Sequence, residues 1–332
     1  MTLLSIGDLA QSLMLRQNLG FAKSRMNILT QEMASGVKSD LAAALRGNTG
    51  TLAGLNAAMT RIEGFGRATT ELSLEAEMMQ AALGAFSDLA TSLALPLQAA
   101  QTAGAAGFEA LAQDARNKFN TAISLLNSES AGRALFSGAA SDLRPLPQGE
   151  DVLAMLGALV AGESTMSVIR DRVEQWFDDA AGYAALYQGA EASGSIAVSP
   201  TERSSVAITA MDPAIRASLK ALALAALSTN GATALDDEGR IALAAEAGAR
   251  LGASEQARAD LRAGLGVVQA RLEAAATGNT AEKTALGIAR AALIEADPYE
   301  TATELTAAQT RLETIYAITS RLATLSLASY LR

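Results

Sequence analysis

The side chains that most often carry enzyme chemistry are missing from this sequence, which contains no histidine and no cysteine. That removes Ser-His-Asp triads, Cys-His dyads, thiolate or imidazole metal sites and structural disulfides together. Carboxylates remain. The closest groupings are Asp178-Asp179, Asp236-Asp237-Glu238 and Glu295 with Asp297, and paired acids are the minimum for general acid–base work or a Mg2+ site. None of these has the spacing of a cation cage, and acids at helix starts or on solvated faces are far commoner uses. The expectation is therefore no catalytic site, no cofactor and no metal. Gly36, Gly47, Gly50 and Gly54 lack the Lys-Ser/Thr of a phosphate loop and follow no strand, so they read as a turn. Trp176, Phe177, Tyr183 and Tyr187 read as a small aromatic core rather than a ligand patch.

The elements that position these residues are dictated by composition. Half of the 332 residues are hydrophobic, so the chain is folded, but only 4% are aromatic, and Ala and Leu fill the apolar share. Small unbranched side chains favour closely packed helices. A formal charge of −9 gives nucleic acid no overall positive surface to bind. The N-terminal residues carry no basic stretch followed by an apolar run, so no cleaved secretory signal is expected. Leu219 to Leu227 is the most apolar window and is too short for the roughly 20 residues of a membrane span, so it predicts a buried helix.

Helical spacing dominates both ends. Leu15, Leu19, Ala22, Met26, Leu29 and Met33 alternate steps of four and three, the seam of a coiled coil, and Ser35-Gly36 predicts its end. A second apolar face runs from Leu52 to Leu93 and predicts a helix ending near Leu95-Pro96. A third helix is expected from Phe108 to Leu126. Between about Ser141 and Thr233 the prolines, glycines and most aromatics cluster. Two short alternating runs there, Ile196-Ala197-Val198 and Val206-Ala207-Ile208, predict strands, so a compact α+β insertion is expected. Asp212-Pro213 is a cap followed by a first-turn proline. From Asp236 the long-helix pattern returns, with a break expected at Thr277-Gly278-Asn279. Asp297-Pro298-Tyr299-Glu300 is a restart signal for Leu305, Leu312, Ile315, Leu322 and Leu325.

The predicted fold is mainly α: a long antiparallel helical rod built from the N- and C-terminal segments, with a small α+β outer domain inserted in the middle. The expected divisions are an axial helix at 1–44, a rod segment at 45–140, the outer domain at 141–234, a second rod segment at 235–304 and a closing axial helix at 305–332. One amphipathic helix cannot bury its stripe alone, so the two ends are expected to pair. Leu15, Leu19, Met26, Leu29 and Met33, with Leu312, Ile315, Leu322, Leu325, Leu327 and Leu331, are the candidate packing residues. By themselves these stripes read first as an ordinary intramolecular seam and second as contact with neighbouring subunits. Apolar character up to the last residues favours the latter.

Three stretches carry a resemblance. NLGFAKSRMNILTQEMASGVK (18–38) resembles the N-terminal helix of the flagellin superfamily of bacterial axial proteins. LLNSESAGRALFSGAASDLRPL (125–146) and LIEADPYETATELTAAQTRLETIYAITSRLATLSLASYL (293–331) are similar to the hook-filament junction family within it, hook-associated protein 3. SDLAAALRGNTGTLAGL stands where a filament flagellin has Asp-Asp-Ala-Ala-Gly-Leu, so the junction family is favoured over flagellin. The resemblance implies a non-enzymatic, secreted structural protein of the bacterial flagellum at the hook-filament junction. It would touch flagellin on one side and another hook-associated protein on the other, associate with itself in a ring or helical layer, and leave by flagellar type III export with a chaperone. The rival readings are a minor flagellin and, in a different class, a cytoplasmic helical-bundle scaffold.

Overall fold

The computed structural model describes the backbone of residues 6–330 and the side chains of residues 10–322. Its described residues form eleven α-helices, one short 3-10 turn and two sheets of two-residue strands, so the fold is mainly α. The helices are α1 (Ile6–Ser35), α2 (Leu41–Ala44), α3 (Gly50–Gln98), α4 (Gly104–Leu126), α5 (Gly149–Leu159), α6 (Met166–Asp178), α7 (Tyr183–Leu186), α8 (Pro213–Leu227), α9 (Asp237–Ala253), α10 (Glu255–Ile294) and α11 (Pro298–Tyr330). Strands β1 (Glu129–Ser130) and β2 (Arg133–Ala134) pair antiparallel, as do β3 (Ile196–Ala197) and β4 (Arg203–Ser204). Two compact units are present, one from residues 1–62 and 281–332 and one from 63–280. Both take part of α3 and α10.

In the first unit α1 packs antiparallel on α11. The chain leaves α1 through Gly36, whose φ of +68° is the left-handed stop that only glycine adopts without strain. It then pairs with the entry to α11: Val37 bridges Glu295, Lys38 N donates to Ile294 O at 2.9 Å, and Ala296 N donates to Gly36 O at 2.9 Å. Asp297 starts α11 as predicted, its carboxylate accepting from the amides of Tyr299 (2.8 Å) and Glu300 (3.0 Å).

The second unit is centred on α8. Leu219 and residues 221 to 225 are all fully buried there, and α4, α5, α6 and α9 pack around it. Asp212 caps α8 and Asp236 caps α9, each accepting an amide bond at 2.9 Å. Residues 141–234 supply α5 to α8 and the β3–β4 hairpin to a core shared with α3, α4, α9 and α10. Trp176, Phe177 and Tyr183 stack edge-on or tilted with ring centroids 5.0 to 6.3 Å apart. The Tyr183 hydroxyl donates to Ala210 O at 2.9 Å, and burial pushes its pKa up.

Two expectations are corrected. The strand predicted at Val206-Ala207-Ile208 lies instead at Arg203-Ser204, opposite Ala197 and Ile196. The turn decides this: Ser199 Oγ accepts from Glu202 N at 3.0 Å and Val198 N donates to Glu202 O at 3.0 Å, so the partner strand follows at once. Val206 is buried as an apolar plug. The break predicted at Thr277-Gly278-Asn279 does not occur, and α10 is continuous through it. Those three residues cost about 2 kcal/mol of helix propensity relative to alanine, and tertiary contacts described below offset it. The interruption falls instead at Ser254. There Arg258, only 3% exposed, donates to Leu251 O (3.2 Å), Ser254 Oγ (2.6 Å) and Ser218 Oγ (3.1 Å). A guanidinium at the carboxyl end of α9 meets the negative end of that helix.

Candidate assembly surface

The seam of the terminal helix pair is graded rather than sealed. Leu29 (2% exposed), Ala22 and Ile315 are buried, and Leu15, Leu19, Met26, Leu312 and Leu322 are half-buried. Met33 is exposed. The side chains of Leu325 and Leu327 and all of Leu331 lie outside the described residues. The structure thus brings Leu15, Leu19, Met26 and Leu29 of α1 into one helix pair with Leu312, Ile315 and Leu322 of α11, while Met33 stands apart on the solvent side.

Two charged contacts join the described parts of this pair. Arg25 forms an exposed ion pair with Glu304, a type of contact worth about 0–1 kcal/mol. The Lys23 ammonium sits 5.7 Å from the centre of the Tyr316 ring. Apolar packing through Ala22, Leu29 and Ile315 forms the buried part of the pair.

Sequence periodicity missed a second set of residues. Phe21 is 73% exposed, Met14 65% and Leu13 59%, all on α1, and Tyr316 and Ile318 stand out from α11. A groove beside Phe21 is walled by Ala22, Arg25, Glu304, Ala307 and Arg311. These residues fall between the seam positions of the heptad, where a polar face is expected, and their apolar character is the signal that would have singled them out. Isolated exposed apolar residues are ordinary, and it is a contiguous apolar patch that marks an interaction surface.

The acidic groupings have structural work. Both oxygens of Asp178 accept from Lys220, at 2.7 and 2.6 Å. Asp179 accepts from Ala181 N at 3.0 Å. Asp237 pairs with Arg240, which is buried, donates to Ser228 O at 2.8 Å and forms an ion pair with Glu109. Hydrogen bonding to Arg240 holds the Glu109 carboxyl below its ordinary value. Among the described residues no three His, Cys, Asp or Glu side chains converge as a metal site, and no helix is long and apolar enough to cross a membrane.

The 125–146 stretch is a structural joint. Asn127 bridges the backbone of Leu146 in both directions at 3.0 Å. The β1–β2 turn uses Ala131 (φ +51°) and Gly132 (φ +77°), and Phe136 is fully buried behind it. A side chain at Gly138 would meet the carbonyl of Glu191 at 2.4 Å, so only glycine fits.

Fold and surface together define a helical protein whose paired terminal helices leave an apolar face open. The family described as the bacterial flagellin C-terminal helical region matches residues 249–331, which include the end of α9 and all of α10 and α11. That match supports a place in the flagellin superfamily and a structural part in the bacterial flagellum. No curated protein matches the chain.

Proposed function

We propose that this chain is an adaptor of the hook-filament junction, coupling another hook-associated protein to flagellin. The observation that carries the reading is the flagellin-type C-terminal match over residues 249–331, which takes in α11, one member of the α1–α11 pair whose seam is only partly closed within one molecule. Helices of this kind gain most of their stability from packing, so an unclosed stripe is completed by neighbours. Contact between different patches of successive copies is head-to-tail, which generates rings or helical layers on which the next component can build. The packing residues in this reading are Leu15, Leu19, Met26, Leu29, Met33, Leu312, Ile315, Leu322, Leu325, Leu327 and Leu331. Export by the flagellar type III route with a bound chaperone, and secretion to the junction, belong to the same proposal. The 125–146 joint supports the junction assignment over a minor flagellin through its similarity to the junction family. Labelled protein in a motile cell is expected at one point at the base of each filament. Label along the whole filament would favour a minor flagellin, and label confined to the cytoplasm would favour a scaffold.

A further inference from the structure

Two buried polar side chains from distant parts of the 63–280 unit meet at one buried carbonyl from a third. Asn279 Nδ2 donates to Val198 O at 2.8 Å and lies 3.4 Å from Thr69 Oγ1. The Thr69 hydroxyl shares its proton between Phe65 O (2.8 Å) and Val198 O (3.2 Å). Val198 is fully buried, Thr69 is 1% exposed and Asn279 is 6% exposed. The β3–β4 hairpin that carries Val198 has only two residue pairs, too few to hold together alone. Its shape is fixed by the Ser199 turn and by an Arg203 Nε bond to Ser195 Oγ at 3.1 Å. α10 meanwhile runs unbroken through Thr277-Gly278-Asn279, a run whose local preference is to leave the helix.

We propose that residues 195–206 are a clasp: the Val198 carbonyl locks Asn279 of α10 to Thr69 of α3, and this lock keeps α10 helical across residues 277–279. Each partner needs the others. Without Val198 O the Asn279 amide is a buried donor with no acceptor of comparable geometry, and a buried unpaired donor is strongly unfavourable. Without Asn279 and Thr69 the hairpin loses the polar contacts that seat it. Asn279 and Thr69 are thus positioning residues, and α10 and the hairpin should open as one local unit. This inference is independent of the flagellar assignment.

Amide hydrogen exchange on the full chain tests it, because two explanations of α10 predict opposite signs. Alanine is the better helix former, so if local propensity governed residues 277–279, Asn279→Ala would slow exchange there. The clasp predicts that Asn279→Ala speeds exchange about tenfold or more at 275–283 and, at the same time, at 195–206, since loss of one well-made buried bond shifts an opening equilibrium by about that factor. Thr69→Val, which keeps the shape and removes the hydroxyl, should do the same at both segments, and Thr69→Ser, which keeps the hydroxyl, should restore protection. Trp176 emission reports whether the rest of the core persists and is expected to be unchanged. Slower or unchanged exchange in Asn279→Ala, rescue failing with Thr69→Ser, or uniform loss of protection with a shifted Trp176 emission would each overturn the proposal.

Discussion

Gly248 sits where α9 crosses α3, and the structure fixes the sign of an alanine substitution there. A methyl group at this position would lie 2.7 Å from Ala94 O, 2.8 Å from Gln98 N and 2.8 Å from Leu97 Cβ. Two of these atoms belong to a helix backbone and cannot rotate away. The same crossing carries a hydrogen bond from Gln98 Nε2 to Gly248 O at 3.1 Å and the fully buried Leu97. Replacing a mid-helix glycine by alanine gains about 0.5–1 kcal/mol through backbone entropy. Forcing an extra methyl into a closed contact costs about 1–3 kcal/mol. Contacts below 3 Å with fixed backbone atoms put that cost in the upper part of its range, so the second effect wins and Gly248→Ala is expected to lose about 1–2.5 kcal/mol net. Gly264 is the control: it lies inside α10 with nothing within 4 Å of its missing side chain, so Gly264→Ala should gain about 0.5–1 kcal/mol. Urea unfolding followed by Trp176 fluorescence measures both, with the midpoint moving and the slope constant. In a unit of this size each kcal/mol corresponds to about 2–4 °C in Tm. Gly248→Ala equal to or more stable than the wild type would refute the close crossing.

The terminal pair separates into residues that serve the single molecule and residues that serve the assembly. Leu29→Ala should destabilise the first unit by about 2–5 kcal/mol, the usual range for a buried leucine. Phe21→Ala should change monomer stability by no more than about 0.5 kcal/mol while weakening assembly, seen by comparing thermal unfolding with sedimentation under assembling conditions. In the second unit, Glu109 has a depressed pKa through its bond to Arg240. Its contribution is present above the ordinary value of 4.5 and is lost as pH falls through the folded value. Glu109→Gln should therefore flatten the acid limb of stability against pH below about 4.5. Because the Glu109 side chain is nearly half exposed, solvent screens the pair and the loss at neutral pH should be about 1 kcal/mol or less.

Helix ends were legible in the sequence because their causes are local. Ser35-Gly36, Asp212-Pro213, Asp236 and Asp297-Pro298 each satisfy orphan amides or relax a left-handed turn within a few residues of themselves. What was not legible depended on partners far along the chain. The helix continues through Thr277-Gly278-Asn279 because its acceptor lies at Val198, and it breaks at Ser254 because Arg258 folds back on Leu251. A serine followed by Glu255 was a readable start signal that the surrounding apolar pattern obscured. The shared core of residues 141–234 escaped for the same reason: prolines and glycines mark a change of texture, but burial is set by α3, α4, α9 and α10. On the candidate surface, period reading found the buried stripe through Leu29 and Ile315 and passed over Phe21, because a heptad pattern identifies the face a helix buries and is silent about the face it leaves bare.

The chain contains no native cysteine, so one introduced thiol is a unique probe of the claim that neighbouring copies close the terminal pair. Phe21→Cys should react with a maleimide freely in the monomer and about tenfold or more slowly in assembled appendages, while Ser164→Cys, in the exposed turn between α5 and α6, reports the general access of reagent. Equal reactivity of Phe21→Cys in monomer and assembly would mean that no subunit covers this face, contradicting the account at its centre.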